Sequence, residues 1–173
     1  MKLLLRVVPF VVLAFLLASC APTFIEKNNH IHSLAFDPTE PGAMYLATHY
    51  YLEKVNLETG DRERMGEGQD YMGFVIDSDG TFYASGHSPQ VPNVGIRKST
   101  DKGKTWQTLA FEGVDFHDVA VGYEEPGYII AWSTPPEQFL AVSRDSGLTW
   151  EKIVPEGLPG EILSLAAEKF PPG

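Results

Sequence analysis

Between residues 30 and 173 the chain alternates short apolar runs with turns rich in Pro, Gly and Asp. No apolar spacing of three to four residues persists long enough for a helix. Ser33-Leu34-Ala35-Phe36 returns as Gly73-Phe74-Val75-Ile76, as Asp118-Val119-Ala120-Val121 and as Ser164-Leu165-Ala166-Ala167, at steps of 40, 45 and 46 residues. Each copy is largely apolar at successive positions, as expected of a strand covered on both faces. This is strand A of a repeat. A turn follows each copy: Pro41-Gly42, Asp79-Gly80, Pro126-Gly127 and Pro172-Gly173. Strand B is then predicted over Met44 to Ala47, Phe82 to Ser85 and Tyr128 to Trp132. Strand C covers Leu52 to Val55, Gly95 to Lys98 and Phe139 to Val142. Strand D covers Arg62 to Met65, Thr105 to Leu109 and Thr149 to Val154.

Four strands per repeat, at a period of about 40–45 residues, describe a β-propeller. A single β-sandwich is also all-β with closely spaced turns, but it does not generate this repeating register. The expected fold is therefore all-β, a β-propeller of four-stranded antiparallel blades. It is incomplete, with three blades plus the first strand of a fourth over residues 30–173. Propellers have about four to eight blades. The sequence reading therefore expects either a truncated gene product lacking C-terminal blades or closure by self-association.

The C–D connection carries the most specific pattern. Ser99-Thr100-Asp101-Lys102-Gly103-Lys104-Thr105-Trp106 and Ser143-Arg144-Asp145-Ser146-Gly147-Leu148-Thr149-Trp150 both read Ser-x-Asp-x-Gly-x-Thr-Trp. In a tight hairpin the Asp carboxylate accepts turn amides and Gly supplies a positive φ. Thr-Trp is expected to open the return strand with a large apolar anchor. In the first repeat Asn56-Leu57-Glu58-Thr59-Gly60-Asp61 takes this place as a degenerate turn. Asp101 and Asp145 are read as structural, and Trp106 and Trp150 are expected between adjacent blades.

The octapeptide resembles the Asp-box of the BNR/Asp-box repeat proteins, which include sialidases, sortilin-type receptors and many bacterial propellers. The wider pattern of His30-Ile31-His32-Ser33-Leu34-Ala35, Ala47-Thr48-His49, Tyr71-Met72-Gly73-Phe74, Ala84-Ser85-Gly86-His87 and Asp115-Phe116-His117 resembles a narrower group. These are bacterial exported Asp-box proteins labelled glycosyl hydrolase-like. Sialidase chemistry would need an arginine cluster, a Tyr nucleophile supported by Glu, and an acid. Arg62, Arg64, Arg97 and Arg144 fall on outer strands or in an Asp-box, away from inner-strand positions.

The N-terminus adds a location. Lys2 and Arg6 form a positive start and Val7 to Leu17 an apolar run broken by Pro9. Leu17-Ala18-Ser19-Cys20 then matches a bacterial lipobox. Residues 1–19 are read as a lipoprotein signal peptide, Cys20 as the lipidation site and residues 20–29 as a tether. The domain would be extracytoplasmic, partnered with the membrane through lipidated Cys20. With Ala21 following Cys20, it would sit at the outer membrane of a host with two membranes. Cys20 is the single cysteine, so no internal disulfide can form. The formal net charge is −10, and removal of the leader takes away Lys2 and Arg6 but no acid. Such a surface argues against nucleic acid as a partner.

Candidate chemistry gathers at one end of the blades. Strand A starts where strand B ends, so His30, His32 and His117 before A neighbour His49 and His87 after B. One register position holds His30, Asp70, Asp115 and Glu161. Imidazoles with carboxylates suit a divalent transition metal, a glycan or another small ligand. The same residues could instead cap strand ends and bond loop amides. The expected function is a surface-anchored binding module acting through this face, with a glycoside hydrolase using Asp70 and Asp115 as the alternative. A non-functional remnant of a longer propeller is a further one.

Overall fold

A computed structural model describes residues 29–122, 125–157, 162 and 164–167. The expected signal peptide, Cys20, most of the tether, Glu161 and the Pro172-Gly173 turn lie outside the described residues.

Three antiparallel sheets follow one another in chain order. The first is β1 (Ile31–Phe36), β2 (Ala43–Thr48), β3 (Leu52–Asn56) and β4 (Arg62–Met65). The second is β5 (Asp70–Ile76), β6 (Phe82–His87), β7 (Ile96–Ser99) and β8 (Gln107–Ala110). The third is β9 (Phe116–Val121), β10 (Ile129–Ser133), β11 (Leu140–Ser143) and β12 (Glu151–Ile153). Each strand pairs with the next, so each sheet is an up-and-down blade. The expected repeat register holds: Leu34 pairs with Leu46, Phe74 with Ala84 and Val119 with Ala131.

The inner strands β1, β5 and β9 stand side by side. Ser33 Oγ donates to the Phe74 carbonyl at 2.9 Å, linking the first blade to the second. Asp118 Oδ2 makes a comparable link two junctions on, from the third blade to the segment after it, accepting the Leu165 amide. Burial raises the Asp118 carboxyl, while the amides of Leu165 and Val119 oppose that rise. Gly73 sits where the second and third inner strands meet, and a Cβ there would lie 2.9 Å from Val119 N. Leu34, Phe74, Val119 and Leu165 all line one central cavity of about 540 Å³. Ser164 to Ala167, the expected fourth copy of strand A, run beside β9 without forming a strand, and Ala167 makes an isolated parallel bridge to Gly122.

Apolar layers fill the spaces between blades. Tyr45, Leu52, Met65, Tyr71, Phe74 and Phe82 close the first space. Tyr83, Ile96, Phe116, Ile129 and Phe139 close the second. Phe82 and Tyr83 are neighbours in sequence yet point into different layers, because successive strand residues face opposite ways. This explains the near-continuous apolar runs of the sequence. Truncating one such buried ring to Ala costs about 3–5 kcal/mol.

The two Ser-x-Asp-x-Gly-x-Thr-Trp turns repeat the same bonds. Ser99 Oγ donates to Asp101 Oδ1 at 2.8 Å, Thr105 N donates to the same oxygen at 2.9 Å, and Thr105 Oγ1 reaches Oδ2 at 2.6 Å. Ser143, Asp145 and Thr149 repeat these bonds at 2.9, 2.8 and 2.5 Å. Lys102 and Gly103 have φ of 62° and 80°, Ser146 and Gly147 59° and 86°. Trp106 Nε1 donates to the Gly103 carbonyl at 3.1 Å and Trp150 Nε1 to that of Gly147 at 3.0 Å. Trp106 packs beside Tyr71 in the first apolar layer and Trp150 beside Phe111 in the second. Each of these turns thus leans on the preceding blade.

Strand D starts later than expected. β8 begins at Gln107 and β12 at Glu151, because Thr105-Trp106 and Thr149-Trp150 are committed to their turns. The first-blade turn is not idle either. Asn56 Oδ1 accepts the amides of Glu58 and Thr59 at 2.9 and 3.1 Å, doing locally what Asp does in the boxes.

Candidate ligand-binding face

The A–B and C–D turns share one end of the blades, and the histidines gather at the other. Backbone register brings them together. His49 N donates to the His30 carbonyl at 3.1 Å, Asp70 pairs with His87, and Thr134 N donates to the Asp115 carbonyl at 2.8 Å. His49, His87 and Thr134 are therefore repeat equivalents at the end of strand B, facing His30, Asp70 and Asp115 at the start of strand A.

Two clusters result, each spanning a blade junction. In the first, His30, His32 and His49 come from the first blade and Asp70 from the second. His32 Nε2 lies 3.2 Å from Asp70 Oδ1, and His49 Nδ1 lies 3.0 Å from Asp70 Oδ2. The His30 ring stacks on His49 at 5.0 Å and meets His32 edge-on at 4.4 Å. His32 Nε2, His49 Nδ1 and Asp70 Oδ1 are buried atoms that make no hydrogen bond among the described residues. They approach within contact distance but off the direction a donated proton would take. Burial lowers the His32 imidazole below its ordinary value. Asp70 opposes that shift, and His30, His49 and His117 add to it.

In the second cluster, His87 belongs to the second blade and Asp115 and His117 to the third. His117 Nε2 lies 3.1 Å from Asp115 Oδ2, and His87 Nε2 lies 3.7 Å from Asp115 Oδ1. His87 Nδ1 is 2.7 Å from the Pro92 carbonyl. A carbonyl only accepts, so Nδ1 carries a proton, and Nε2 is the nitrogen turned toward Asp115. Asp115 Oδ1 is buried without a hydrogen bond. Ligand atoms of His30, His32 and His49 all lie within 4.8 Å of one another, as do those of His87, Asp115 and His117.

All the described histidines and carboxylates expected at this face are thus there, in two groups divided by blade junction. Sequence reasoning missed Thr134, whose Oγ1 donates to Asp115 Oδ2 at 2.8 Å. The repeat register could have found it, since it is the counterpart of His49 and His87. It also missed the Pro92 carbonyl, which had no sequence signal. Trp132 is buried and presents no ring face to a ligand. The arginines do not gather here. Arg62 pairs with Glu53, Arg64 lies over the Tyr51 ring, Arg97 binds Gln69 and Glu67, and Arg144 reaches Glu151.

No protein-family model matches the chain, and no curated protein matches it. Among solved structures it is similar to the extracellular domain of a protein assigned as a one-component system of B. thetaiotaomicron. That likeness has 7% identity and a TM-score of 0.49, over 70% of this chain and 16% of that one. It is also similar to a chain of a mitotic checkpoint complex, at 10% identity and a TM-score of 0.47, over 79% of this chain and 55% of that one. This chain therefore spans well under two thirds of either, and at such identity neither likeness assigns a function. The three successive four-stranded blades carry the fold assignment.

Proposed function

We propose that this chain is an exported Asp-box propeller, lipid-anchored through Cys20, that works as a binding module with its ligand seat on the histidine–carboxylate face. The observation that supports this reading is the gathering of His30, His32, His49 and Asp70, and of His87, Asp115 and His117, at the end of the blades opposite the Asp-boxes. The Asp-box end is occupied by bonds that build the fold, such as those of Asp101 and Asp145. The opposite end holds buried polar atoms with no such employment. Anchoring rests on the Leu17-Ala18-Ser19-Cys20 sequence and on the lack of any other role for a single cysteine.

Side-chain ¹H–¹⁵N spectra of the full chain in detergent, titrated with a panel of acidic and neutral glycans, small carboxylates and divalent cations, test the seat. Histidine resonances should move while the indoles of Trp106 and Trp150 stay in place. A panel that shifts the indoles and leaves the imidazoles unmoved would put the ligand elsewhere. Radiolabelled palmitate should enter the wild-type chain and not Cys20→Ala; equal labelling of both would remove the anchor.

A further inference from the structure

Resting on that binding-module reading, the geometry points to two divalent transition-metal sites, one at each blade junction. The first is held by His30, His32 and His49 with Asp70 from the next blade. The second is held by His87 with Asp115 and His117 from the next blade.

Three observations carry it. First, the spacing is close to that of ligands around an ion. Metal–nitrogen and metal–oxygen bonds of about 2.0–2.2 Å at a tetrahedral centre set neighbouring ligand atoms roughly 3.3–3.6 Å apart. The His32–Asp70, His49–Asp70 and His117–Asp115 approaches, at 3.2, 3.0 and 3.1 Å, lie just below that range, and His87–Asp115, at 3.7 Å, lies just above it. Second, atoms this close fail to hydrogen bond. His32 Nε2, His49 Nδ1, Asp70 Oδ1 and Asp115 Oδ1 are all buried and unbonded, a costly arrangement unless a cation joins them. Third, His87 is prepared as a ligand. Its Nδ1 donates to the Pro92 carbonyl, the outer contact that metal-binding imidazoles habitually make, and this aims Nε2 at Asp115 and the space it shares with His117. Thr134 orients Asp115 in the same way, by donating to Oδ2.

In the first site the three imidazoles form the inner group, and the Asp70 carboxylate, which approaches His32 and His49, stands beside it as a fourth donor. Two imidazoles and a carboxylate leave a position open in the second, where water or a ligand's oxygen or nitrogen could join. Both ions would bridge adjacent blades, so loading should also stiffen the junctions.

The test uses Zn²⁺ alone with the untagged full chain in detergent. Equilibrium dialysis with metal quantification should find two Zn²⁺ bound per chain. His32→Gln with His49→Gln should remove one of the two, His87→Gln with His117→Gln the other, and all four together both. Near-ultraviolet circular dichroism of Trp106 and Trp150 reports whether each variant is folded. Zinc-edge X-ray absorption of the wild-type chain gives a readout that needs no variant, and should show imidazole nitrogen in the first shell. A wild-type chain that retains no zinc, a first shell without imidazole, or a fourfold variant that keeps both ions would overturn the proposal. If zinc is not retained but glycans or carboxylates still move the histidine resonances, the metal sites fall and the binding face stands. If neither occurs, both readings fall together.

Discussion

Asp77 offers a sharp test of how the blades are joined. Its side chain is buried, and it lies in the A–B turn of the second blade. Oδ2 accepts the Gly127 amide of the third blade at 2.8 Å, and Oδ1 accepts the neighbouring Ser78 amide at 2.6 Å. Hydrogen bonds to a charged group contribute about 1.5–3 kcal/mol each, and a buried amide left without a partner costs about 1–3 kcal/mol. Removing the charge returns part of this, because a buried carboxylate had to be desolvated. Asp77→Ala should therefore destabilise by about 2–4 kcal/mol. For a domain of this size 1 kcal/mol moves Tm by roughly 2–4 °C, so the midpoint should fall by about 4–16 °C. Asp77→Asn should recover little, since its single oxygen cannot serve both amides and its NH₂ would face a donor. Asp79→Ala is the control. Asp79 is exposed and, among the described residues, accepts the local Thr81 amide at 2.8 Å, so its loss should cost below about 1 kcal/mol. Urea unfolding followed by tryptophan fluorescence measures both. Equal midpoints for Asp77→Ala and Asp79→Ala would refute the view that this carboxylate fastens one blade to the next.

Gly73→Ala places a Cβ 2.6 Å from Ser85 Oγ and 2.9 Å from Val119 N, so it should cost about 1–3 kcal/mol in urea unfolding, while Gly68→Ala, with 3.7 Å to its nearest neighbour, should be close to neutral. Trp150→Ala should cost about 3 kcal/mol or more by emptying the space beside Phe111, whereas Leu148→Ala, at a residue 83% exposed in the same turn, should stay within about 0.5 kcal/mol. Hydrogen bonds from the Thr105 hydroxyl, the Thr105 amide and Ser99 hold the Asp101 carboxyl at about 2, below its ordinary 3.8. Its contribution is then fully present above about pH 4 and is lost as pH falls toward about 2. An acid titration by circular dichroism should show the wild-type advantage over Asp101→Asn shrinking through that window, and a gap that widens on acidification would contradict the sign.

Much of this architecture was legible because the inner strands carry near-continuous apolar runs whose recurrence fixed the blade boundaries, although the expected cover on both faces fails at β1, where Ile31, Leu34 and Phe36 are exposed. Register alone also placed His49 beside His30 and His87 beside Asp70. The division into two clusters was not legible, because it depends on the angle between neighbouring blades. Nothing in the sequence says that Asp70 turns back to His32 and His49 of the first blade. Thr134 escaped notice because a threonine after a strand has no chemical signature of its own. The late start of β8 and β12 escaped it too, since Thr-Trp is as apt for a strand as for the turn whose carboxylate claims the threonine.

The two ends of the blades are built on different principles. Asp77, Asp101, Asp145 and Lys102, which reaches Glu40 of the first blade at 2.6 Å, knit the scaffold at one end. The chemistry-bearing residues stand on the connections at the other, where few of those bonds are shared. That division lets the side chains at the recognition end vary without touching the bonds that hold the opposite end, so long as Thr48 and Ser133, which fold their own connections, are kept.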